Sequence, residues 1–82
     1  MAVIRIEKIF EGRMGFNQTP SFVLYIDDEL IAISKRKWLA RAIGDAVVAG
    51  HIQGTGDTIS RLSQWAYETK DWKLFDRIGN GY

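Results

Sequence analysis

The residues best suited to chemistry are the cations of Ser34-Lys35-Arg36-Lys37-Trp38 together with Arg41. On a helix that begins near Ser34, four basic groups crowd the first turns, where the macrodipole already places about half a positive charge. Such a charge near the terminus disfavours the helix by about 0.3–1 kcal/mol. A negatively charged partner would offset it: phosphates, which helix N-termini bind through backbone N–H groups, or an acidic protein surface. Lys37 and Arg41 lie one turn apart and share a face, and Trp38 inside the cluster could stack on a base. The plainer reading is a solvated helix end whose charge offsets Asp27, Asp28 and Glu29 across a hairpin.

A second candidate is the loop Gly12-Arg13-Met14-Gly15-Phe16. Arg13 between glycines, followed by Phe16, makes a finger suited to a partner's groove, because arginine, methionine and aromatics are enriched at interfaces. The alternative is a hairpin connection with Met14 or Phe16 folded back over a thin core.

The remaining patterns are weaker. Gly54-Thr55-Gly56-Asp57 precedes a helix but lacks the spacing and lysine of a phosphate loop, and Asp57 would repel a phosphate, so it reads as a helix cap. His51 is the single histidine and there is no cysteine, which leaves no zinc ligand set. A triad of Ser60 or Ser63 with His51 and Asp57 has no nucleophile-elbow spacing. Asp27-Asp28-Glu29 does not match a calcium loop and reads as a solubilising turn. No catalytic residue, metal site or cofactor is assigned.

These side chains need elements to position them. Ile4 and Ile6 alternate with Arg5 and Glu7, which predicts a strand over 2–10 with a bulge or end at Lys8-Ile9-Phe10. Two glycines and the one proline mark residues 11–20 as a loop. Residues 21–26 and 29–34 predict a β-hairpin turning at Asp27-Asp28, whose missing glycine leaves the turn type open. With Phe22, Leu24 and Ile26 toward the helices, Val23, Tyr25, Ile31 and Ile33 form an open apolar face; the reversed assignment leaves an equally apolar one.

Ser34 predicts the cap of a helix over 35–49, with Leu39, Ile43, Ala46 and Val47 at helical spacing and Gly50 as its stop. Asp57 predicts the cap of a second helix over 58–69, with Ile59, Leu62 and Ala66 inward and Trp65 beside them. Asp71 opens a last short helix through Arg77 that buries Trp72, Phe75 and Ile78, leaving a loose tail. Of the three tryptophans, Trp38 sits at the margin of the buried face and is the one expected at the surface. The fold class is α+β: a small three-stranded antiparallel sheet (β-β-β) followed by two or three helices packed on one face.

Eighty-two residues amount to a single domain over 1–82, with a thin core offset by a 46% hydrophobic and 12% aromatic composition. A domain this small is compatible with a homodimer. The net charge is +1, so no global field steers the chain to nucleic acid or anionic lipid. Charges interrupt the N-terminal apolar run, unlike a secretory signal, and no apolar run approaches a membrane span, which predicts a cytoplasmic protein without a membrane partner.

The function expected is that of a non-enzymatic binding protein: a small inhibitor or adaptor docking on a larger protein or nucleoprotein partner. Size and lack of motifs fit the accessory proteins that phages and mobile elements encode. Its contact residues would be Lys35, Arg36, Lys37, Trp38, Arg41, Arg13 and Phe16. One alternative is nucleic-acid binding through the basic start of the 35–49 helix, with steep salt dependence. Another is a self-assembling structural protein.

Overall fold

A computed structural model describes residues 2–11 and 19–81. Arg13 and Phe16, and with them the glycine-bearing finger, lie outside the described residues. The chain forms β1 (Ile4–Glu11), β2 (Thr19–Ile26) and β3 (Glu29–Ser34), then α1 (Lys37–Val48), α2 (Thr58–Glu68) and α3 (Trp72–Gly81). This is the expected three-stranded antiparallel sheet followed by three helices, an α+β fold with strand order β1-β2-β3. Among the described residues no helix is long and apolar enough to cross a membrane.

The pairing of β1 runs further than its sequence suggests, although Lys8, Ile9 and Phe10 are all exposed. Pairing with β2 continues without a register shift from Ile4↔Ile26 to Glu11↔Thr19, so the break expected at Lys8-Ile9-Phe10 is absent. Thr19 and Pro20 belong to β2 rather than to a loop. The proline is tolerated because it sits at the beginning of the strand, where a missing N–H costs least.

The turn into β3 is a two-residue loop, since Ile26 pairs directly with Glu29. Asp27 and Asp28 adopt φ of 51° and 65°, the double left-handed geometry of a type I′ hairpin turn. Aspartate reaches this region more readily than most residues, which explains a tight turn without glycine. The Asp27 carboxylate accepts the Val3 N–H at 2.9 Å, and the Asp27 N–H donates to the Val3 carbonyl at 3.0 Å, tying the turn to the approach to β1.

One face of the sheet packs on the helices. Leu24 and Ile26 are buried there, with Ile4, Ile6, Phe22 and Ala32 packed beside them against Leu39, Ala40, Ile43, Ala46, Leu62 and Ile78. Each fully buried leucine or isoleucine contributes about 1.5–3 kcal/mol. Close approach of α1 depends on Gly44: a Cβ there would lie 3.1 Å from Leu24 Cδ1 and 3.3 Å from Ile4.

The opposite face differs from the strict alternation. A register shift between Leu24 and Tyr25 sets Ala32 opposite Leu24 and Leu30 opposite Tyr25, leaving Ile31 as the extra residue. Ile31 therefore turns to the helical side, where it packs against the core and approaches Gly54. Leu30 takes its place beside Tyr25 and Ile33 on that face, which is less open than expected because Val23 on it is buried at 5% exposure.

The start of α1 and the end of α3 differ from the sequence reading. Ser34 is buried and paired with Phe22, so it stays in the sheet and α1 begins at Lys37 with Arg36 as N-cap. The Ser34 hydroxyl instead accepts the Arg36 N–H and donates to the Arg36 carbonyl, both at 3.1 Å. α1 ends as expected at Gly50, whose φ is +80°. Gly50 N–H donates to the Val47 carbonyl and His51 N–H to Ala46, a Schellman pair.

α3 runs four residues beyond Arg77, to Gly81, so the tail is largely helical. Ile78 is buried on it as expected, but Trp72 is 49% exposed and Leu74 packs on the core instead. Leu74 and Ile78 are one turn apart and define the inner stripe, which places Trp72 off to the side.

Candidate functional site

The basic residues stand at the point where β3 hands over to α1. Lys35, Arg36 and Lys37 are exposed, and α1 has neither an acidic residue in its first turn nor a side chain capping its N-terminus. The unbonded N–H groups of that turn therefore add their partial positive charge to three cations. Arg41 lies on the same side one turn on, and its Nε is 3.4 Å from the Asp45 carboxylate. That ion pair is more than half exposed and contributes little to stability.

Trp38 is not the free surface ring expected of it. It is half-buried and packs on the core, and the Arg77 guanidinium lies over its ring at 4.1 Å from the centroid. One ring face is thus occupied by a cation, which removes it as a stacking platform for a base. The same contact brings α3 into the site. Arg77 joins the cations of α1, and Lys73 stands one turn before it on α3. Sequence reasoning missed Arg77, because its distance along the chain from Trp38 hides a contact that only the packing of α3 beside α1 makes. The result is a cationic cap across two helices around a half-buried indole.

The exposed tryptophan is Trp72. It forms an edge-to-face contact with Tyr67 at 5.4 Å and another with Phe75 at 6.2 Å, while Tyr67 and Phe75 are 5.6 Å apart. This aromatic corner joins the end of α2 to α3, and Tyr67 is also exposed.

Other polar features are engaged in local structure. Asp57 caps α2 by accepting the Ser60 N–H at 3.1 Å and the Ser60 hydroxyl at 2.8 Å. The Ser60 N–H first, and its hydroxyl next, hold the Asp57 carboxyl below its ordinary pKa. Arg61 Nε donates to the Thr55 carbonyl, fixing the Gly54–Gly56 connector onto α2. His51 stacks on Trp65 with ring centroids 4.7 Å apart. A cleft of about 390 Å³ opens between the helices, lined by Ala42, Ala46, Leu62, Trp65 and Leu74, with Asp45, His51 and Asp71 at its rim. Asp45 is paired with Arg41, and Asp71 accepts the Leu74 N–H. Among the described residues no group of three histidine or acidic side chains could hold a metal ion. Asp28 bonds to Arg5 at 3.6 Å instead.

No protein-family model, curated protein or solved structure matches this chain.

Proposed function

We propose that the protein is a non-enzymatic inhibitor or adaptor that docks on an acidic face of a larger protein through the cap formed by Lys35, Arg36, Lys37, Arg41 and Arg77 around Trp38. The observation that carries the reading is the Arg77–Trp38 stack. It gathers cations from two helices at a helix start that already bears positive charge, an arrangement that works against the stability of α1 and that an anionic partner offsets. Arginine and tryptophan together are the side chains most enriched where interfaces hold their energy.

Two features favour a protein over a nucleic acid. The net charge of +1 is far from the strongly basic balance of nucleic-acid binders, and Trp38 already carries a guanidinium on its ring. A cytoplasmic setting is part of the same proposal.

The test is fluorescence anisotropy with a labelled poly(Glu, Tyr) copolymer and with labelled mixed-sequence DNA and RNA, at roughly 50 and 200 mM salt. The expected result is binding of the acidic copolymer that weakens with salt and disappears in Arg41→Glu/Arg77→Glu, whose fold is checked by circular dichroism. Tighter, steeply salt-dependent binding of DNA or RNA, lost in the same variant, would replace the protein partner with a nucleic acid. Binding of none of the probes sinks the proposal.

A further inference from the structure

Two hollows in the helical layer adjoin. The cleft of about 390 Å³ and a second of about 220 Å³ share Asp71 and Leu74. Together they make a groove between α1 and α3. Ala42, Ala46 and Ala49 form its α1 wall, and Lys73, Leu74 and Arg77 its α3 wall. The two helices run antiparallel along it, because Arg77 lies on Trp38 at one end while Ala49 and Asp71 line the other. From Ala42 to Ala49 the wall is about 10 Å long, two helical turns.

The charge along this groove is one-sided. Asp45 is offset by Arg41, and Asp71 is committed to the Leu74 N–H at the start of α3. Among the described residues neither Lys73 nor Arg77 is paired with a carboxylate. Stacking on Trp38 leaves the Arg77 N–H groups in the plane of the guanidinium, where they can still bond a carboxylate.

An apolar trough two turns long with uncompensated positive charge on one bank fits an amphipathic helix whose apolar face is flanked by acids. A second copy of this chain does not supply one. α1 carries Lys37, Arg41 and Asp45, α2 carries Arg61 and Glu68, and α3 carries Lys73, Asp76 and Arg77, so none is net acidic. We infer that the groove holds an acidic amphipathic helix of the partner. Two of its apolar side chains, one turn apart, lie against the alanines and Leu74, and its carboxylates meet Lys73 and Arg77. The inference rests on the docking reading and sharpens it: the cap attracts the partner and the groove selects its shape.

Fluorescence anisotropy of the full chain with labelled peptides tests it. The probe is a peptide of about 15 residues, built of glutamate and alanine with leucines in a helical stripe. One control has the same composition with the stripe broken, and another keeps the stripe with lysine for glutamate. The striped acidic peptide should bind about tenfold more tightly than the broken one, and the lysine peptide should not bind. Lys73→Glu, at an exposed position, should weaken the striped peptide about tenfold. Ala42→Phe, which fills the groove and whose fold is checked by circular dichroism, should abolish the preference for the stripe while the acidic copolymer still binds. Equal affinity of wild type for striped and broken peptides overturns the inference, and that comparison needs no variant. So does tighter binding of the lysine peptide, or indifference to Lys73→Glu. In each of those cases the docking proposal stands as long as the copolymer binds; loss of copolymer and peptide together sinks both.

Discussion

At the start of α2 the Asp57 carboxylate accepts an N–H and a hydroxyl from Ser60, and the helix opens with an anion where its dipole is positive. At the start of α1 the same position is Arg36, flanked by Lys35 and Lys37, and no side chain caps the turn. Yet the two helices stop alike. α1 ends in a Schellman pair through Gly50 at φ +80°, and α2 ends in another through Lys70 at φ 59°, with the Asp71 N–H donating to the Ala66 carbonyl at 2.8 Å. A well-capped α2 shows that this sequence can cap a helix, while α1 opens on three cations without a side-chain cap. The difference marks where local stability is given up for surface charge.

If α1 is held by packing rather than by its cap, Leu39→Ala should have the largest effect of any change in that helix. Leu39 is fully buried in the first turns, and its truncation should destabilise the fold by about 2–5 kcal/mol in urea unfolding. A loss no greater than that of a surface substitution would break the comparison. Next in size is Gly50→Ala, which forces a Cβ into the left-handed region and should cost about 1–2 kcal/mol. Lys70→Gly should act in the opposite direction at the equivalent position of α2, raising stability by up to about 1 kcal/mol in thermal unfolding. Equal signs for these two would mean that the helix ends are not equivalent.

Asp57→Ala should lower stability at neutral pH and leave it unchanged in strong acid. The native carboxyl is held below its ordinary pKa while the unfolded one is not, so the contribution is complete above the ordinary carboxylate range. It fades as the pH falls, because the unfolded chain takes up the proton first, and it is gone below the lowered native value. Wild type and variant melting curves should therefore converge on acidification. The smallest effect belongs to Lys37→Glu, which should stabilise α1 by about 0.3–1 kcal/mol at low salt while weakening binding of the acidic copolymer. Loss of stability in that variant would remove the argument that the cap is kept for a partner.

Much of the fold was legible because its signals are local. Alternation of Ile4 and Ile6 with Arg5 and Glu7, the stripe Leu39, Ile43, Ala46, Gly50 as a stop and Asp57 as a cap each depend on residues within a turn or two. Ser34 misled because a serine before a basic helix looks like a cap, and only its pairing with Phe22 keeps it in the sheet. The basic candidates Lys35, Arg36, Lys37 and Arg41 do share one end of the molecule, as their spacing requires. The exchange of roles between Trp38 and Trp72 was hidden, because both lie at the edge of an apolar stripe and neither spacing tells which edge meets another helix.

By itself, then, the sequence determined three strands followed by helices, a tight turn at Asp27-Asp28, the stop of α1 at Gly50 and the cap of α2 at Asp57. Backbone preference, hydrophobic period and capping chemistry act along the chain. The tertiary structure decided the third helix, the type I′ geometry of the turn, the bulge that turns Ile31 inward and Leu30 outward, and the placement of Arg77 on Trp38. Those depend on how far apart the elements sit once the core around Leu24, Leu39 and Leu62 has closed. Packing distances between segments remote in the chain leave no trace in a single sequence.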